Sequence, residues 1–166
     1  MKILMGTKNP GKIEGAKQAF EKYSDMVYRL AFARVKNKYD ADDILQEVFL
    51  RFIKCKDKVN NDEHAKALLI RITINCTKSM LTGSWFKKTA PLSEDLSVSF
   101  SQNDTLDAVL RLPKKYRTVV HLHYYMGYTT DEIAKILNSK PSTVKSQLHR
   151  ARKQLKISLE GVEANV

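Results

Sequence analysis

Ser142, Thr143, Lys145, Ser146, His149, Arg150 and Arg152 crowd hydrogen-bond donors into one short stretch. Lysine and arginine neutralise phosphates, and together with hydroxyl groups they reach base edges in a groove. Between them run Val144, Leu148, Ala151 and Leu155, an apolar stripe at helical spacing. One helix with a basic, hydroxyl-rich face and an apolar face is therefore expected, and Pro141 suits its first turn. Just upstream, Thr129 and Glu132 have the spacing of a capping box. Ile133, Ile136 and Leu137 then mark a short helix that Asn138 and Ser139 end. Two helices joined by a tight turn, the second one basic, describe a helix-turn-helix with its recognition helix. The plain alternative is a helical hairpin with a solvated charged face. The capping box, the short turn, the proline entry and the one-sided charge together favour recognition of a polyanion. Thr129, at a helix N-terminus, is a further candidate for a phosphate.

A second set of residues has the opposite sign. Asp43, Gln46, Glu47 and Leu50 share one side of a helix expected over residues 39–54, with Asp40 as its N-cap. Asp42 and Asp43 are expected in its first turn, where the helix dipole favours acids. Ile44, Val48, Phe49, Phe52 and Ile53 are expected for the most part to face the core. An acidic patch on a basic chain is not built for DNA; it is either a solvated face or a protein contact. A third set, Arg71, Asn75 and Lys78, recurs at near-helical spacing within a helix expected over about 63–81, after a polar loop at 55–64. Trp85 and Phe86 stand beside Lys87 and Lys88. Aromatic side chains next to bases suit single-strand binding, and a core tryptophan is the other reading.

These helices must be positioned by a chain of 166 residues with net charge +11 and pI near 9.6. That charge points to a polyanionic partner, nucleic acid or a membrane surface. No apolar run reaches a spanning length and no signal peptide is recognised, so a cytoplasmic protein is expected. Six glycines and four prolines disfavour a turn-rich sheet fold, and helix formers dominate. An all-α fold of two small helical domains is the expectation. Cys55 and Cys76 lie far apart without a CxxC and read as buried thiols. His121 and His123 with a cysteine lack the usual ligand spacing, so no metal, cofactor or catalytic residue is assigned.

Domain boundaries follow composition. Residues 91–103, Ser-rich and starting with Pro91, carry two acids and no base, and read as a linker between basic helical units at 19–90 and 104–160. Asn103 or Asp104 is expected to cap the first helix of the second unit. Pro113 is expected to start the next, with Tyr116, Val119, Val120 and either His123 or Tyr124 inward. Residues 161–166 are a tail, and residues 1–18 are atypical. KILM is a short apolar run that reads as a strand, followed by turn-forming GTKNPGK. From Ile13 a helical pattern runs to about Val35.

Two resemblances bear on these segments. MKILMGTKNPGKIEGAKQAFEKY resembles the start of the inosine/xanthosine triphosphatase family, where a strand, a loop and a helix form part of a nucleotide pocket. It covers only about 23 residues, and the family's later strands and acidic metal-binding residues have no counterpart downstream. The segment is read as a replaced or fused N-terminus, joined near Ala19 to Tyr23, with Thr7, Asn9 and Lys12 as non-functional remnants.

ADDILQEVFLRF and LLIRITINCTKSML resemble region two of the bacterial sigma-70 superfamily in its extracytoplasmic-function branch, and LPKKYRTVVHLHYYMGYTTDEIAKILNSKPSTVKSQLHRARKQL resembles region four. Together they cover roughly residues 20–160, in the family's order. The resemblance implies a non-enzymatic initiation factor whose partners are core RNA polymerase, through its β′ clamp and β flap, promoter DNA and an anti-sigma factor. Asp43, Gln46, Glu47 and Leu50 would meet the clamp. Arg71, Asn75, Lys78, Lys87 and Lys88 would meet minus-ten DNA, with the 55–64 loop shaping a pocket for a flipped base. Thr129, Ser142, Thr143, Lys145, Ser146, His149, Arg150 and Arg152 would meet minus-thirty-five DNA. Many relatives carry an aromatic residue near Leu68, which this chain lacks. Two alternatives stay open. A regulator acting without polymerase would not bind the core enzyme, and a nucleoside triphosphatase would release phosphate from inosine triphosphate.

Overall fold

Asn37 and Asn61 start two of the three helices that build the first half of the chain. In the computed structural model the Asn37 side chain accepts hydrogen bonds from the backbone N–H of Tyr39 and Asp40, and that of Asn61 accepts one from His64. The structure describes residues 10–83 and 104–163, with side chains described over 15–83 and 105–161. The expected strand at KILM, Thr7 and Asn9, the side chain of Lys12, the cap at Asn103 or Asp104, the 91–103 linker, and Trp85, Phe86, Lys87 and Lys88 fall outside what is described.

The chain divides into two compact units, residues 1–83 and 84–166. In the first, α1 (Pro10–Val35), α2 (Lys38–Cys55) and α3 (Asp62–Thr82) each pack on the other two. Helix α1 runs without a break through the point where the sequence placed a join. Its Tyr23, Val27 and Ala31 enter the same core as Ile44, Val48 and Phe52 of α2 and Leu69, Ile72 and Met80 of α3. The expected cap at Asp40 is corrected. Helix α2 begins at Lys38 with its cap three residues before the expected one, at Asn37, so Asp40 lies within its first turn. The cause is the sharp reversal after α1, where Lys36 adopts φ 56° and its N–H closes on the Phe32 carbonyl. The 55–64 loop is also narrower than expected. One tight helical turn, Lys56–Lys58, follows α2 directly, and Asn61 already caps α3. At the far end of the bundle, buried Arg34 donates to Thr77 Oγ1 at 2.6 Å, which ties α1 to α3.

The second unit contains α4 (Asp104–Arg111), α5 (Lys114–Val120), α6 (Thr130–Ile136) and α7 (Pro141–Glu163). Helix α7 packs on each of the other three. Val119, Leu122, Ile133, Val144, Leu148 and Ala151 are fully buried or nearly so. Past Val120 the helix widens into a π-helical turn, His121–Tyr125. Such turns arise where an extra residue must be absorbed. Here it turns Tyr124 and Tyr125 outward, while His123 is partly buried with Nδ1 2.8 Å from the Tyr128 carbonyl oxygen. The sequence left His123 or Tyr124 as the inward residue, and the structure selects His123. Gly127 follows with φ +75°, a conformation that glycine adopts without strain. Arg117, at 6% exposure, donates to the carbonyls of Leu112 and Leu110 just past and within the end of α4. Burial pulls its pKa below the usual arginine value.

Candidate nucleic-acid interface

The recognition helix is built from its turn outward. Helix α6 starts with the expected capping box. Thr129 Oγ1 accepts from the Glu132 N–H at 3.3 Å, and Glu132 Oε2 accepts from the Thr129 N–H at 2.8 Å. It ends in a Schellman motif, with Asn138 at φ 49°, Ser139 N–H on the Ala134 carbonyl and Asn138 N–H on that of Lys135. Asparagine tolerates this left-handed geometry better than most residues. The tight reversal lets α7 begin at Pro141.

At about 100° per residue, Ser142, Lys145, Ser146 and His149 span an arc of roughly 100° on α7. Val144, Leu148 and Ala151 occupy the opposite side and are buried. Thr143 and Arg150 flank the arc on one edge and Arg152 on the other. All seven polar residues are exposed. The Thr129 hydroxyl, assigned to DNA from sequence, also donates to the Glu132 carboxylate at 2.9 Å, so the capping box engages it.

Arg152 has a second neighbourhood. It lines an apolar cavity of about 560 Å³ together with Val109, Val120, Tyr124, Tyr125, Leu155 and Leu159. Tyr124 and Tyr125 are more than half exposed there. The sequence did not mark this groove, because its tyrosines become outward-facing only through the π-helical turn.

On the first unit, Asp43, Gln46 and Leu50 are exposed along α2. Glu47 is half-buried and accepts from Arg51 Nε at 2.6 Å. Asp40 lies beside this face, and burial, with Asp43 nearby, raises its carboxyl pKa. Tyr39 was missed from sequence. At 67% exposure it extends the stripe to Tyr39, Asp43, Gln46 and Leu50, spaced four, three and four apart. That repeat was the available signal.

Arg71, Asn75 and Lys78 are all exposed on α3 and fall within about 60° of one another. Near the start of α3, the loop and α1 border an open cavity of about 420 Å³, lined among others by Lys22, Lys56, Asn60, Asn61 and Asp62. Lys22 Nζ lies 2.7 Å from Asp62 Oδ2, and Tyr23 OH donates to the Asp62 carbonyl at 3.5 Å. The hydrogen bond from Lys22 lowers the Asp62 pKa.

The chain thus has two helical units, one carrying a basic, hydroxyl-rich helix face and the other an acidic and a basic helix face. Residues 19–86 match the family described as Sigma-70 region 2 and residues 102–155 match Sigma-70, region 4. The chain is similar to the ECF RNA polymerase sigma factor SigW of Bacillus subtilis, 30% identical over 158 residues, covering 82% of this chain and 84% of SigW. It is also similar to RNA polymerase sigma factor SigV of the same organism, 30% identical over 141 residues, covering 80% and 83%. This chain belongs to the extracytoplasmic-function RNA polymerase sigma factors, which are initiation factors and not enzymes. Among solved structures, its fold is similar to RpoE of Bartonella quintana, crystallised with the anti-sigma factor NepR, at TM-score 0.70 and 19% identity over 87% of this chain and 96% of that one. CnrH, in complex with the cytosolic domain of CnrY, gives TM-score 0.65 and 18% identity over 96% and 94%.

Proposed function

We propose that this sigma factor binds core RNA polymerase through α2, opens promoter DNA along α3 and reads the upstream element with α7. The observation that carries the reading is the segregation of charge by helix. An acidic face on α2 belongs to a chain that is otherwise strongly basic, while α3 and α7 expose basic faces. DNA repels the first and attracts the other two. Asp43, Gln46, Glu47 and Leu50 meet the β′ clamp. Arg71, Asn75 and Lys78 meet the minus-ten strand, together with Lys87 and Lys88 from the sequence reading. The cavity beside the loop takes an unstacked base, whose extrusion must be offset by new contacts. Ser142, Lys145, Ser146 and His149 meet base edges of the minus-thirty-five element, with Thr143, Arg150 and Arg152 on phosphates. Thr129 contributes through its helix start.

The groove at Tyr124 and Tyr125 suits an apolar helix of the β flap, since aromatic side chains anchor such contacts. The sigma factor RpoE, of the same fold, has been crystallised with the anti-sigma factor NepR, which supports an anti-sigma factor here as well. Among the described residues no helix is long and apolar enough to cross a membrane, consistent with action in the cytoplasm. The triphosphatase-like start of the chain is a remnant with no nucleotide-hydrolysing role. Run-off transcription with purified core polymerase on a promoter library tests the whole. Promoter-specific transcripts dependent on this chain are expected, and DNA binding without any gain in transcription would leave a regulator that works without polymerase.

A further inference from the structure

The cavity beside the α2–α3 loop has one wall that region two does not supply. Gly15 and Gln18 of α1 line it, opposite Lys56, Asn60 and Asn61. The region-two match begins at residue 19, so both lie upstream of it. They are held there because α1 is one continuous helix and because Lys22 and Tyr23, a turn further on, bind Asp62 at the start of α3. The approach is close. A Cβ on Gly15 would run into Lys56 Nζ, so Lys56 reaches across the helix at that point.

Chemistry narrows what the cavity can take. The Asn61 side chain is engaged by the His64 N–H, and Asp62 by Lys22. Among the described residues, no hydrogen bond occupies the carboxamides of Gln18 or Asn60. Each offers one acceptor and two donors, the pattern that pairs with the edge of a base. Lys22, held by Asp62, and Lys56 line the same cavity. Carboxamides beside ammonium groups fit a nucleotide, and the volume lies in the range of small-ligand pockets, roughly 300–1,000 Å³. A strand following Arg71 back along α3 meets this end of the helix about 15 Å away.

We propose that Gln18, from the atypical N-terminal segment, reads the edge of the unstacked base held beside the α2–α3 loop, and so helps set the minus-ten preference. This rests on the reading that the cavity takes such a base. Free nucleotides share the chemistry, and the experiment separates the two sources.

The intact protein is titrated with single-stranded oligonucleotides carrying a minus-ten element, each position varied through the four bases. Gln18→Ala, Asn60→Ala and the parent chain are compared, with circular dichroism verifying helicity. Gln18 is exposed, so the fold should hold. Gln18→Ala should flatten base discrimination at one position by roughly tenfold and leave the other positions and the least-favoured strand unchanged. Asn60→Ala should flatten the same position. If Asn60→Ala flattens it and Gln18→Ala does not, the inference falls while the base pocket stands. If neither variant alters any position, both fall. An equal loss at every position would also overturn the inference, making Gln18 a general support. A parallel titration with inosine triphosphate closes the remaining route. Gln18-dependent binding there, without any change in strand discrimination, would assign the cavity to free nucleotides and overturn the proposal.

Discussion

Replacing Lys145 with alanine should change which base is tolerated at one position of the minus-thirty-five element, and replacing Arg150 should not. Lys145 lies at one end of the exposed arc that it shares with Ser142, Ser146 and His149, while the other side of the helix carries Val144, Leu148 and Ala151, buried to 1% exposure or less. A helix seated by those three residues directs that arc into a groove. Arg150 lies about 80° from Ser142, beyond the other end of the arc, and is expected to meet backbone. A lost base contact is worth about 1–3 kcal/mol at one position, or roughly five- to 150-fold against that base alone. A lost phosphate contact lowers the salt slope by about 0.9, so between 50 and 200 mM salt the deficit of the variant should shrink about 3.5-fold on every sequence. The assay is binding of the polymerase–sigma complex to a library of single-position element variants at the two salt concentrations. Should Lys145→Ala lose the same factor on all sequences and flatten the salt slope, the angular argument is wrong for that residue. Arg152 is the informative third variant, because it also lines the tyrosine groove. A uniform DNA defect assigns it to phosphate, and weakened core binding with unaltered DNA affinity assigns it to the groove.

Three further outcomes are expected. Asn75→Ala should reduce open-complex formation, followed by permanganate reactivity, more than closed-complex binding; equal loss of both would make Asn75 a structural residue. Asp43→Lys should weaken core-polymerase binding with helicity unchanged, and it is a cleaner probe than Glu47→Lys, which also breaks the Arg51 pair; undiminished core binding would move the interface off α2. Arg117→Met should keep the packing of the aliphatic stem yet leave the Leu110 and Leu112 carbonyls short of a donor, costing about 1–3 kcal/mol. Hydrogen exchange across α4 and α5 would register the loss, and unchanged protection would mean water replaces the guanidinium.

The helix-turn-helix was legible because every local signal agreed. Capping box, turn asparagine, Pro141 and the stripe of Val144, Leu148 and Ala151 all place the same two helices. The start of α2 was read less well, because Asp40 and Asn37 are both good caps by type. The choice is made by the backbone reversal at Lys36, which no residue preference announces. Arg117 was missed for a related reason. A charge in mid-helix reads as surface, and only the return of α4 onto α5 buries it. The two cavities are non-local in origin. The groove at Tyr124 and Tyr125 depends on an extra residue absorbed in the π-helical turn. The wall at Gln18 depends on how far α1 extends past the core before the α2–α3 loop meets it. Arg71, Asn75 and Lys78 were recovered as an exposed row because their spacing alone fixes them on one side of α3.

The unbroken run of α1 makes the length of the upstream segment a variable in its own right. One residue inserted between Gln18 and Ala19 leaves Tyr23, Val27 and Ala31 in the bundle, yet turns everything before the insertion by about 100° and advances it about 1.5 Å. Gln18 and Gly15 would leave the cavity and other side chains would take their place, with no substitution anywhere in the three-helix bundle. A gene that exchanges its opening codons at this point gains a rotary adjustment. Counting codons in or out sweeps different side chains past the pocket, and three or four of them bring the helix back to within about 60° of its starting phase. Promoter preference then becomes tunable by frame-preserving insertions and deletions, a kind of change that leaves the recognition helix untouched.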